Sequence, residues 1–176
     1  MRTHISTAVV AVLLVLTVAG CGSPEEKKAK YLAQAQGYIQ DGNLPKARVA
    51  LRNVLKIDPK DPEAFFVFAE VEEKEKNWRN AFANYQRTVE LKPDHERALL
   101  KLGKFYLEGR VVDKVLEMAD RVLKKVPGQV EAQALKIAVE AVKGNLSEAT
   151  LAAEALGAKH PTDPDAATIL ATLYLA

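Results

Sequence analysis

Pro59, Pro93, Pro127 and Pro161 follow one another at intervals of 34 residues, and a fixed period of this length marks a chain of stacked repeats. The same step carries Ala47 to Ala81, Val115 and Ala149, and Asn43 to Asn77 and Asn145, with Val111 the one departure. Each proline follows an apolar helical stretch. It helps to end that helix because it lacks an N–H and pushes the preceding residue out of the α region.

With 176 residues, 48% apolar and 27% charged, the chain can bury a core of ordinary size. Its formal charge of +2 is close to balance, and acids and bases interleave, as in Glu70-Val71-Glu72-Glu73-Lys74-Glu75-Lys76. That is the composition of a solvated helix face, so no nucleic-acid partner is expected. Cys21 is the only cysteine, which excludes intrachain disulfides and cysteine-cluster metal sites.

Residues 1–20 have the layout of a signal peptide: Arg2 provides a positive start, and Ile5 to Ala19 form an apolar run shorter than the ~20 residues that span a bilayer. The run closes on Val18-Ala19-Gly20-Cys21, which resembles the lipobox of bacterial lipoproteins. The resemblance implies cleavage before Cys21, a diacylglyceryl group on its thiol and a third acyl chain on its amine, a stable anchor. No cofactor other than this covalent lipid is expected. Gly22 is not the aspartate that retains many lipoproteins in an inner membrane, so family analogy places the chain on the periplasmic face of an outer membrane where the source has two. Residues 21–27, with Lys28 beyond, read as the lipidated cysteine and a polar tether.

Counting back from the prolines sets repeats at 28–61, 62–95, 96–129 and 130–163, with 164–176 opening a fifth. Each divides into two amphipathic helices around a turn such as Asp41-Gly42-Asn43, Lys76-Asn77 or Gly144-Asn145, where glycine and asparagine tolerate the left-handed conformation. Asp61-Pro62-Glu63 and Asp163-Pro164-Asp165 each offer an N-cap, a first-turn proline and an acid at the positive helix end.

The pattern resembles the tetratricopeptide repeat, a helix-turn-helix of 34 residues. Phe65, Phe68, Ala69, Ala81, Tyr85 and Pro93 carry it in the second repeat, and Leu99, Leu102, Gly103, Tyr106, Ala119 and Pro127 in the third. Tyr31, Ala35, Tyr38, Ala47, Leu51 and Pro59 carry it in the first. The resemblance implies an all-α, right-handed α-solenoid, with small residues letting the paired helices approach closely. Repeat four departs, because Gln133, Lys136 and Glu140 replace apolar residues while Leu135, Val139 and Val142 form a stripe of their own. Either its first helix is rotated or the register slips by one. The motif of a fifth first helix, Ala167, Leu170, Ala171 and Tyr174, is present without a second, so further repeats beyond Ala176 and a fraying, self-associating end are expected.

No catalytic constellation emerges. His95 and His160 sit near repeat junctions, where a solvent-facing loop residue is the expectation, and there is neither a phosphate loop nor a dinucleotide fingerprint. Trp78 occupies a turn position that carries a packing residue in the family, and reads as core. In the family, first-helix positions line a concave groove, which implies a partner-binding set of Glu63, Phe66, Glu70, Glu73, Arg97, Leu100, Lys101 and Lys104. There Phe66 is the apolar anchor and charges of both signs flank it. Leu32 and Gln36 stand where a carboxylate clamp needs lysine and asparagine, and Val67 replaces the second asparagine, so recognition of a chaperone tail is not expected.

The expected function is that of a lipid-anchored, non-catalytic scaffold of the cell envelope, holding a protein or peptide in the groove. The layout is similar to the start of the long repeat lipoproteins of exopolysaccharide and exosortase systems, and less closely to type IV pilus pilotins. The alternatives are a groove that binds a glycan segment directly, a pilotin role, and a purely structural spacer.

Overall fold

Helix boundaries advance by the same step as the prolines. The computed structural model describes residues 23–175, in which first helices α3 (Pro62–Lys74), α5 (Glu96–Glu108), α7 (Val130–Val142) and α9 (Pro164–Tyr174) start 34 residues apart. Second helices α2 (Leu44–Ile57), α4 (Trp78–Leu91), α6 (Val112–Lys125) and α8 (Leu146–Lys159) do the same, and α1 (Pro24–Gln40) opens the series. The described residues form no strand. Repeat four therefore keeps register. Glu140, out of place as an apolar residue, accepts hydrogen bonds from Asn145 Nδ2 at 2.8 Å and Lys143 Nζ at 2.9 Å, which hold its carboxyl below the usual range. Glu72, two periods earlier, accepts from Asn77 Nδ2 at 3.1 Å in the same way.

All four intra-repeat turns close by one device. The N–H groups of Gly42, Lys76, Arg110 and Gly144 donate to Ile39, Glu73, Leu107 and Ala141 carbonyls, and those of Asn43, Asn77, Val111 and Asn145 donate five residues back. This is the Schellman pairing, which places a left-handed residue just past the helix end. Gly42 and Gly144 take φ of 72° and 92° without a Cβ penalty, whereas Lys76 and Arg110 take 59° and 54° with one. First helices also share a capping register: His95, Gln129 and Asp163 accept from the N–H three residues on, of Ala98, Ala132 and Ala166, each a fully buried alanine.

The chain divides into two compact units at Asp61 and Pro62. In the first, α1 packs on α2 around Ala35, Ala47, Leu51 and Val54. The segment expected as a tether is instead the start of α1. Ser23 is its N-cap in a reciprocal capping box with Glu26, and Pro24 to Lys28 are helical. Lys28 is held by Glu25, Asp58 and Asp61 at 3.0, 3.3 and 3.1 Å. Cys21 and the signal peptide lie outside the described residues.

In the second unit α3 packs on α4, α5 on α6 and α7 on α8, with α4 against α5 and α6 against α7, while α7 lies beside both α5 and α9. Close approach of α5 and α7 depends on Gly103, where a Cβ would stand 2.7 Å from Leu135 Cδ1. The final helix is better covered than its sequence implies: Leu173 is buried against Ala149 and Ala153 of α8, and Tyr174 donates to Glu154 at 2.6 Å. Tyr174 and Leu175 are the large apolar residues left exposed there.

Candidate partner-binding groove

The face built by the first helices of the second unit carries the expected binding residues, and the structure sorts them into two regions. Around α3 and the start of α5 they satisfy one another. Phe66 is only 1% exposed. Its ring stacks on His95 with centroids 4.9 Å apart, tilts against Tyr85 at 5.4 Å and is covered by the Arg97 guanidinium at 4.1 Å. Arg97 also donates to Glu63 Oε1 at 3.3 Å and Glu70 Oε1 at 3.0 Å, and Lys101 pairs with Glu73 at 2.6 Å. Leu100 is buried as well. Phe66 and Leu100 are thus core residues, not anchors offered to a partner; over Phe66, Tyr85 of α4 and His95 of the α4–α5 junction close the face on which a single helix would display it.

His95 corrects a second expectation. Far from facing solvent it is buried, caps α5 through Nδ1, which accepts from the Ala98 N–H at 3.2 Å, and so presents an Nε2–H to Glu63 Oε2 at 3.1 Å. That hydrogen bond, with the charge of Arg97 nearby, holds the Glu63 carboxyl below the usual range. Glu70, two turns along, goes the other way: burial raises it and Arg97 offsets only part of the effect. Burial, with Glu73 and Glu70 adjacent, pushes the Tyr85 hydroxyl far up. Trp78 is a third correction, 54% exposed at the start of α4.

An open cleft lies further along, between α5, α7 and α9. It encloses about 230 Å³, and its walls are Leu107, Ala134, Leu135, Ala138 and Ile169. A cavity of roughly 150 Å³ holds a benzene-sized group, so this cleft has room for one branched or aromatic side chain. One end is charged: Lys104 pairs with Glu131 at 2.6 Å and stands 3.8 Å from Asp165. Burial opposes the Lys104 charge, but the Glu131 hydrogen bond and charge outweigh it and raise the ammonium. Burial, with Glu131 adjacent, raises the Asp165 carboxyl, and the charge of Lys104 offsets only part of the effect. Thr168 and Thr172 line the opposite wall on α9.

Of the expected set, Lys104 alone lines this cleft; Leu107, Glu131, Leu135, Asp165 and Ile169 were missed. A signal was present, since Glu63, Arg97, Glu131 and Asp165 occupy one register at the repeat step, a charged row running across successive first helices. Among the described residues no three His, Cys, Asp or Glu side chains are grouped to hold a metal, and no helix is long and apolar enough to cross a membrane.

No family model matches the chain. Over 84 residues, 48% of its length, it is 31% identical to the type IV pilus assembly protein PilF of Pseudomonas aeruginosa, and it covers 33% of that relative. Its fold is similar to a solved structure of Pseudomonas aeruginosa PilF, with a TM-score of 0.71 at 22% identity over 85% of this chain and 68% of the other. A tetratricopeptide repeat protein from Parabacteroides merdae gives 0.73 at 20% identity, covering 84% and 58%. PilW, a type IV pilus biogenesis factor, gives 0.70 at 23% identity, covering 84% and 69%. The fold is the all-α tetratricopeptide repeat.

Proposed function

We propose that this chain is a non-catalytic scaffold of a bacterial envelope assembly, anchored through lipid on Cys21 and binding a protein segment on the first-helix face of its second unit. The observation that carries the reading is the cleft between α5, α7 and α9, apolar along its walls and charged at one end. Such a site seats one anchor side chain and orients the chain that bears it. No aromatic ring lines the cleft, and a glycan site ordinarily presents one, so a protein partner is favoured over a polysaccharide. Among envelope systems, the likeness to PilF favours type IV pilus assembly as the first to test.

Photo-crosslinking in detergent-solubilised membranes of the source organism tests the reading. A benzophenone amino acid at Ala138, inside the cleft, is expected to trap a discrete partner, while the same group at Leu151, exposed on α8, is not. Equal products from both positions, or none from Ala138, would refute it.

A further inference from the structure

On the reading that the cleft between α5, α7 and α9 seats a protein segment, we propose that this segment is basic: an apolar residue fills the cleft, and an arginine or lysine beside it docks at Asp165.

The hydrogen-bonding groups left open in the cleft are acceptors. Of the polar side chains that line it, Lys104, Thr168 and Thr172 have a proton to donate, whereas Glu131 and Asp165 as carboxylates have none. Each of the three donors is already engaged. Lys104 Nζ pairs with Glu131 at 2.6 Å, Thr168 Oγ1 donates to the Pro164 carbonyl at 2.6 Å, and Thr172 Oγ1 donates to the Thr168 carbonyl at 2.8 Å. An occupant therefore meets carboxylate oxygens and hydroxyl lone pairs, and it must bring the donors itself. A guanidinium or an ammonium serves a carboxylate better than a neutral N–H does, because the hydrogen bond is then charge-assisted.

Charge on the surrounding face points the same way. Arg97 is shared by Glu63 and Glu70, and Lys101 is taken by Glu73. With Lys104 taken by Glu131, Asp165 stands 3.8 Å from that same ammonium and has no cation of its own. The other charges of α7 are engaged elsewhere, Lys136 with Asp120 of α6 and Glu140 with Lys143 and Asn145. Glu108, exposed beside the wall residue Leu107, adds a further negative charge. Burial raises the Asp165 carboxyl and Lys104 offsets only part of that, so a second cation seated there meets a charge that is still under-compensated. An acidic segment would set like charge against Asp165 and Glu131 with no free donor to receive it.

Ala134, Leu135, Ala138 and Ile169 line the cleft, so their methyl signals report its occupancy. The full chain, labelled at alanine, leucine and isoleucine methyl groups, is titrated with three blocked peptides in which one leucine is followed by arginine, by glutamine or by glutamate. A hydrogen bond to a charged group is worth about ten-fold in affinity, so the arginine peptide should bind roughly ten times more tightly than the glutamine peptide, and the glutamate peptide most weakly. Asp165→Asn keeps the size of a side chain whose ionised form burial disfavours, and unchanged methyl signals of Ala64, Ala69 and Ala81 in α3 and α4 verify its fold. In this variant the arginine and glutamine peptides should bind with the same affinity. Equal binding of all three peptides to the parent, tighter binding of the glutamate peptide, or an arginine preference that survives Asp165→Asn overturns the proposal and leaves the cleft a protein site of another specificity. If no peptide moves a cleft methyl signal at ~10 mM, the proposal also falls, and the protein-binding reading of the cleft falls with it only where Ala138 traps no partner.

Discussion

Replacing Phe66 with alanine separates the two roles its position in the repeat permits. If the ring were an anchor displayed in a groove, its loss would spare the fold. The structure instead seals it beneath Arg97 and His95 and against Tyr85. Truncating a buried phenylalanine to alanine costs about 3–5 kcal/mol, and losing its ring pairs and the cation above it places this site toward the upper end. Taking ~4 kcal/mol and about 4 °C per kcal/mol for a unit of this size, the thermal midpoint should fall by roughly 15 °C. Helix content followed by far-UV circular dichroism measures it. Trp78→Ala, which removes a half-exposed ring, should cost ~1 kcal/mol or less and move the midpoint by only a few degrees. A Phe66→Ala midpoint within a few degrees of the parent would refute the packing described here, and a larger loss from Trp78→Ala would invert it.

Lys76→Gly and Arg110→Gly should each raise stability by about 0.5–1 kcal/mol in urea denaturation, while Gly42→Ala and Gly144→Ala should lower it by ~1 kcal/mol, since only the first pair relieves a left-handed Cβ. Glu63 and Glu70 should differ in the sign of their pH dependence. The Glu63 carboxyl is lowered in the folded state, so its contribution is present above the ordinary carboxylate range of ~4.3 and lost as pH falls through the folded value; Glu63→Gln should flatten the acid limb of a stability–pH profile. Glu70 is raised by burial, so ionising it works against folding as pH rises, and Glu70→Gln should leave stability at neutral pH unchanged or higher. Gly103→Val should destabilise the α5–α7 contact by about 1–3 kcal/mol, because Leu135 already meets the position of the first added carbon; hydrogen exchange of α7 amides would register the loosening.

Repeat length, helix ends and most caps could be read from the chain because they rest on local chemistry: a proline that ends a helix, a glycine past its end, an aspartate before its start. These effects act within one turn, so they survive without tertiary context, and the 34-residue step recurs even in repeat four, where the apolar pattern weakens. What faces what was decided by packing. Phe65, Phe66 and Phe68 follow closely on one helix, and only the placement of α4 and the α4–α5 junction determines that Phe66 is the one sealed inside. His95 looks like a loop histidine until α3 brings Glu63 to its ring and α5 begins beneath it. Trp78 shares its register with Leu44, Val112 and Leu146; it meets Phe105 edge-on and, like Leu146, remains about half in solvent. The cleft likewise depends on three helices whose lining residues are far apart in sequence, so its charged row was visible in the period while its apolar walls were a product of how α5, α7 and α9 pack.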